Sequence, residues 1–223
     1  MTKKLFFQAI TKFTLGVCVV GLLLFLPAGS LEYWNGWLFM LILFIPMFVA
    51  GIVLMLKNPN LLKKRLDAKE QEAEQTIVVK LSGLMFLTGF IMAGFNFRFQ
   101  WWVLPKIVSI IATICFFIAY LIYAEVLREN TYLSRTIEIQ ENQTVIDTGL
   151  YGIVRHPMYS ATLLLFLSMP LVLGSLQAFL IFLSYPFFIV KRIKNEEEVL
   201  ECGLQGYTDY KKRVKYRLLP FIW

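Results

Sequence analysis

Long uncharged apolar runs alternate with short polar stretches along the first half of the chain. Phe13–Leu31 carries no charged side chain over 19 residues, and Trp34–Leu56 none over 23. Ile77–Phe97 holds only Lys80 and Trp101–Ala124 only Lys106, each near one end of its run, where a lysine stem can lie along apolar surface and its ammonium reach the headgroups. Each run is long enough to cross a hydrocarbon core of roughly 30 Å as a helix. A fifth run, Met158–Val190, is uncharged over 33 residues. At ~1.5 Å per residue it would make a helix of about 50 Å, too long for one crossing. Gly174-Ser175 at its middle is a turn signal, so the pattern predicts two helices of some sixteen residues joined there as a hairpin.

The predicted fold class is therefore all-α: a polytopic membrane protein of about six transmembrane helices, ending in a helical hairpin. Charge supports this arrangement. With a cytosolic N-terminus, the inside segments 1–12, 57–76, 125–157 and 191–223, with Lys80 counted in their flank, hold 20 of the 22 Lys and Arg. Such a bias is what the positive-inside rule expects. The net charge of +7 reads as a topology signal, and no nucleic-acid partner is expected. The first span is too long for a cleaved signal peptide and lacks a small-residue cleavage site. The expected location is a membrane of the bacterial inner type, with both termini cytosolic. Composition agrees: 58% of the 223 residues are hydrophobic, against about 45–50% in an average soluble domain.

Two regions follow. Residues 1–124 form four spans with little polar content, and residues 125–223 hold most of the polar chemistry. Segment 57–76, with Lys63-Lys64-Arg65 and then Glu70, Glu72 and Glu74, reads as a solvated connector. Segment 125–157 is a link with apolar Ile137, Ile139, Val145 and Ile146 and a turn at Asp147-Thr148-Gly149. A link this long is uncommon unless functional or disordered, and its Tyr132, Leu133, Leu150 and Tyr151 argue for order. Cys18 and Cys115 lie in apolar runs and Cys202 in the tail, with no Cys-x-x-Cys pair and one histidine. No metal site is expected.

The chemistry concentrates at the two ends of the hairpin. At one end stands Arg155-His156-Pro157-Met158-Tyr159, and at the other Arg192 followed by Glu196-Glu197. Ionisable groups this close to a bilayer usually serve a site. Pro157 disfavours helical angles at His156 and suits the first position of a helix. The first N–H groups of that helix, with the Arg155 guanidinium beside them, would attract an anion. Arg192 and Glu196, four apart, can share one helix face. Paired carboxylates accept from ribose hydroxyls in dinucleotide folds. Tyr151, Tyr159, Tyr185, Phe187 and Phe188 would enclose a flat base. S-adenosylmethionine combines a carboxylate, a ribose, a base and a sulfonium that favours aromatic faces, and so would satisfy these groups together. Taken singly, each is an ordinary feature: membrane-flanking cations, a surface ion pair, interfacial tyrosines. Their weight is joint.

Jointly they resemble a known family. The stretch from Gln143 through Asp147-Thr148-Gly149-Leu150-Tyr151 to Arg155-His156-Pro157-Met158-Tyr159 is similar to the signature of isoprenylcysteine carboxyl methyltransferases, as is Arg192-x-x-x-Glu196-Glu197-x-x-Leu200 followed by Tyr207-x-x-Tyr210, Val214 and Leu219-Pro220. The resemblance covers roughly residues 125–223. It implies methyl transfer from S-adenosylmethionine to a lipid-borne or prenylated acceptor that enters from the bilayer. It implies cofactor contacts at Gln143, Thr144, Val145, Ile146, Tyr151, His156, Pro157, Met158, Tyr159 and Glu196, with Glu197 completing the acidic pair. Arg192 would hold the substrate, most simply through a carboxylate, and Arg192 and Glu197 are the candidate catalytic residues. The cofactor site would face the cytosol. Three alternatives stand beside this: an amine or phospholipid N-methyltransferase on the same fold, a sterol-reductase-like enzyme using NADPH, and a scaffold without activity.

Overall fold

A computed structural model describes residues 3–66, 73–133 and 139–223. Ile137, Glu70 and Glu72 lie outside the described residues. The helices are α1 (Lys3–Ala28), α2 (Trp34–Lys57), α3 (Pro59–Leu66), α4 (Ala73–Phe99), α5 (Lys106–Glu129), α6 (Pro157–Val172), α7 (Leu176–Phe182), α8 (Tyr185–Gly203) and α9 (Tyr207–Arg213), with a short 3-10 turn at Gly149–Gly152. Among the described residues, one isolated antiparallel bridge, Val103 to Ser175, is the extended pairing present.

Five segments are long and apolar enough to cross a membrane: Lys3–Ala28, Trp34–Lys57, Thr76–Phe99, Lys106–Glu129 and Leu176–Gly203, the last taking in α7 and α8. The shorter apolar helix α6 is the sixth expected membrane element. Large apolar side chains cover the outside of these helices, among them Leu22 and Leu26 on α1, Ile45 on α2 and Ile110, Ile114 and Leu121 on α5. A continuous apolar exterior of this kind marks a lipid-facing surface. The protein is a polytopic integral membrane protein.

Inside, Leu24, Phe39, Phe116, Val172, Phe182 and Ile193 are fully buried in one core that joins the early helices to the hairpin. α6 packs most extensively on α5, and α1 on α4. The α1–α4 approach depends on Gly94: a Cβ there would stand 2.5 Å from the Leu24 carbonyl oxygen. Small residues at such crossings let backbones close in where lipid offers no hydrophobic drive.

The Met158–Val190 run does turn at Gly174-Ser175. Gly174 adopts φ +72°, and the Ser175 hydroxyl accepts from Ala178 N–H to start α7. The carbonyls at the end of α6 and in the turn after it, which the helix itself leaves open, are met by donors from the first half of the chain. Ser109 Oγ donates to Leu171 O at 3.1 Å and Asn35 Nδ2 to Val172 O at 2.7 Å. Tyr33 Oη donates to Leu173 O at 2.7 Å, and the Leu104 N–H to Gly174 O at 3.0 Å. The second limb differs from a plain sixteen-residue helix. It breaks at Leu183-Ser184, where Pro186 in the first turn of α8 supplies no N–H. α8 then runs on to Gly203, carrying Arg192, Glu196 and Glu197 to the end of the molecule where α6 begins.

Candidate functional site

The α6 start, the α8 end and the tail meet in one place. His156 sits at φ −127°, ψ 61°, outside the helical region, and Pro157 opens α6. The motif backbone pairs with the tail: Arg155 N–H donates to Tyr216 O and His156 N–H to Arg217 O, both at 2.9 Å. Ser160 Oγ adds a bond to Leu218 O at 2.6 Å. The turn into the site is therefore built by a strap some sixty residues downstream.

A buried ion cluster locks this strap. Glu197 is 2% exposed. Its Oε1 accepts from Arg155 Nε at 2.8 Å and lies 3.2 Å from His156 Nε2. Its Oε2 accepts from Arg217 Nε at 2.9 Å. Arg155 Nη1 meanwhile donates to the Val214 and Lys215 carbonyls at 2.7 and 2.8 Å. Arg155 also lines the cavity beside this cluster, but its fork, expected to face an anionic ligand, is engaged by Glu197 and the tail. The physical reason is burial: a guanidinium taken out of water needs a carboxylate and acceptors around it.

Beside the cluster lies an open cavity with about 860 Å³ of empty space, counting the part continuous with solvent. Of the residues expected at the site, Gln143, Thr144, Val145, Ile146, Tyr151, His156, Met158, Tyr159, Arg192 and Glu196 line it. Pro157 and Glu197 do not, since Pro157 is held at the helix start and Glu197 points into the ion cluster. Tyr185, Phe187 and Phe188 also fall outside the lining. Tyr185 packs between α6 and α8, its hydroxyl donating to Thr162 Oγ1 at 3.2 Å. Phe187 points outward and is 76% exposed.

The charged wall of the cavity is organised by Tyr159. This buried residue donates from its hydroxyl to Glu196 Oε2 at 2.5 Å and accepts there from Arg192 Nε at 2.9 Å. One phenol thus ties together the two side chains that α8 presents four residues apart. Other lining residues are more apolar. Leu204, Tyr207, Tyr210 and Val214 form a small cluster against Val145 and Leu200, and of these Val145, Leu200, Leu204, Tyr207 and Tyr210 face the cavity. Tyr210 Oη donates to the Tyr151 carbonyl at 2.7 Å, and the Tyr151 hydroxyl accepts from Asn130 Nδ2 at 2.9 Å. Burial pushes the Tyr151, Tyr207 and Tyr210 phenols well above their ordinary value, so all three stay protonated donors.

The loop that carries Gln143–Ile146 is fixed from behind. Leu150 N–H donates to Glu129 Oε2 at 3.1 Å, and Gly149, at φ +51°, leaves room for that carboxylate: a Cβ there would lie 1.4 Å from Glu129 Oε1. Asn130, Tyr132 and Leu133 also line the cavity. They were not among the expected site residues. Leu204 was not either: it caps α8, and Gly206 at φ +85° turns the chain into α9, which carries Tyr207 and Tyr210. Among the described residues no group of three or more His, Cys, Asp or Glu is placed to hold a metal.

Residues 109–202 match the model of the Isoprenylcysteine carboxyl methyltransferase (ICMT) family. The resemblance carried by the motifs holds over that segment, which runs from within α5 to the end of α8. A relative of another activity is also similar: the Delta(14)-sterol reductase of Mus musculus is 30% identical over 91 residues. That match takes in 40% of this chain, and the chain spans only 22% of the length of that protein. The fold is that of a polytopic membrane protein, and residues 109–202 are similar to this methyltransferase family.

Proposed function

We propose that the protein transfers a methyl group from S-adenosylmethionine to a lipid-borne or lipophilic acceptor, most simply a carboxylate. The observation that carries this reading is the Arg192–Tyr159–Glu196 chain on the cavity wall: a fixed cation and a fixed carboxylate held by one phenol. The residues present suit the cofactor. Glu196 offers a carboxylate to ribose hydroxyls, Tyr151, Tyr159 and Tyr207 offer aromatic faces, and Tyr207 carries a buried hydroxyl with no partner among the described residues.

When bound, S-adenosylmethionine supplies an electrophilic methyl group. The protein's part is placement. Arg192 holds an anionic acceptor through its donor fork, as guanidinium groups hold carboxylates. Such an acceptor is already ionised near neutral pH, so no general base is required. His156, Met158 and Tyr159 shape the floor and keep water from the reacting groups. Glu197 acts from behind, holding Arg155 and His156 to the tail strap. Arg192 is the candidate catalytic residue that touches substrate.

A reductase reading, with a nicotinamide cofactor in the same cavity, is favoured by the similarity to the sterol reductase. Membranes containing the protein, incubated with methyl-labelled S-adenosylmethionine, separate the two. The expected result is label in the lipid fraction, released by mild alkali if the product is an ester and retained if the acceptor is an amine. Absence of transfer together with acceptor-dependent NADPH oxidation would replace this reading with the second.

A further inference from the structure

Tyr207 is 4% exposed, lines the cavity, and keeps its hydroxyl oxygen buried without a hydrogen-bond partner among the described residues. Its neighbour three residues on behaves differently, since the Tyr210 hydroxyl is satisfied by the Tyr151 carbonyl. A buried polar atom left unpaired is unfavourable, and native structures rarely keep one without a purpose. Phenylalanine would fill the space without an orphaned hydroxyl. Val145, Leu200 and Leu204 give the cavity apolar contact surface beside Tyr207, while the Tyr207 hydroxyl lies within electrostatic range of Glu197 and Glu196. A flat heterocycle packs on such apolar surface and presents ring nitrogens and ribose oxygens that accept a hydrogen bond. The phenol, kept protonated by burial and by the charges of Glu197 and Glu196, has one to donate.

We infer that Tyr207 is a ligand-binding residue whose hydroxyl donates a hydrogen bond to the nucleoside part of the bound cofactor, with Val145, Leu200 and Leu204 forming the seat of the base. This assignment rests on the proposed cofactor, S-adenosylmethionine. It differs from the expected site, in which the base was enclosed by tyrosines and phenylalanines of the hairpin.

The test is calorimetry on the detergent-purified full chain and its Tyr207→Phe variant, with S-adenosylhomocysteine and 5′-methylthioadenosine as probes, beside the thermal midpoint of each protein without ligand. Loss of one hydrogen bond predicts affinity weaker by about five- to tenfold for both probes. The ligand-free midpoint should stay level or rise, because the variant removes an unpaired hydroxyl and no contact. Tyr210→Phe, which loses a bond within the protein, should lower the midpoint. Equal affinity of Tyr207→Phe and the unaltered protein overturns the inference. A loss confined to S-adenosylhomocysteine overturns the assignment to the nucleoside, and a midpoint that falls with the affinity makes Tyr207 a packing residue. If the unaltered protein binds neither probe, the cofactor reading itself fails, which is a separate result.

Discussion

Glu197 Oε1 and Arg155 Nε stand 2.8 Å apart with both side chains almost fully buried. This pair joins α8 to the turn before α6, and Arg217 brings the tail to the same carboxylate. Removing one member leaves the others as uncompensated charges. Glu197→Ala should therefore destabilise the protein by about 3–5 kcal/mol, the usual result of breaking a buried pair from one side. A thermal midpoint in detergent within a degree of the unaltered protein would show the cluster to be dispensable.

Glu196 is the contrasting case, because its carboxylate faces the cavity. Glu196→Gln should leave the midpoint nearly unchanged and weaken cofactor binding by at least about 1 kcal/mol, as for loss of a charged hydrogen bond. Undiminished affinity for S-adenosylhomocysteine, measured by calorimetry, would remove Glu196 from the cofactor site.

Arg192→Ala separates the acceptor end from the cofactor end. Binding of S-adenosylhomocysteine should change by less than about twofold, while turnover falls roughly ten- to a hundredfold with the lost charged hydrogen bonds. Single-turnover methylation and calorimetry on the same preparation measure both. Abolished cofactor binding would show that Arg192 serves the cofactor instead.

The main features of this architecture were readable from local pattern. Uncharged runs gave the spans, and Gly174-Ser175 gave the turn, because both are properties of a few consecutive residues. The meeting of His156 and Tyr159 with Arg192 and Glu196 followed from the hairpin that returns α8 to the start of α6, whereas Gln143–Ile146 were expected there from the family resemblance alone. The partners of Glu197 were not readable. Its contacts reach back to Arg155 and forward to Arg217, and nothing in the spacing says that these two cations meet on Glu197 while Arg192 is tied to Tyr159. The polar residues of the first four spans were hidden for the same reason. Asn35 and Ser109 look like scattered polar positions in apolar runs and Tyr33 like a residue between two of them, yet they satisfy the end of α6 and the turn after it from 62 to 140 residues away.

The tyrosines of the apolar wall set a response to alkaline pH. Tyr151, Tyr207 and Tyr210 hold their protons more tightly when folded, because burial raises each above its ordinary value of 10.0. The folded state then binds more protons than the unfolded chain above that value, so stability falls as pH rises through about 10 and is unaffected by these groups below it. The thermal midpoint should be flat from neutral pH to about 9 and then fall. The fall should be shallower in Tyr207→Phe, and an identical slope in that variant would show its phenol to be unperturbed.

The cavity beside the Arg192–Tyr159–Glu196 chain is the proposed S-adenosylmethionine site. Its most direct test is calorimetry on the detergent-purified full chain with S-adenosylhomocysteine and, separately, NADPH. Saturable one-to-one binding of S-adenosylhomocysteine and none of NADPH is the expected result. Binding of NADPH without S-adenosylhomocysteine would contradict it.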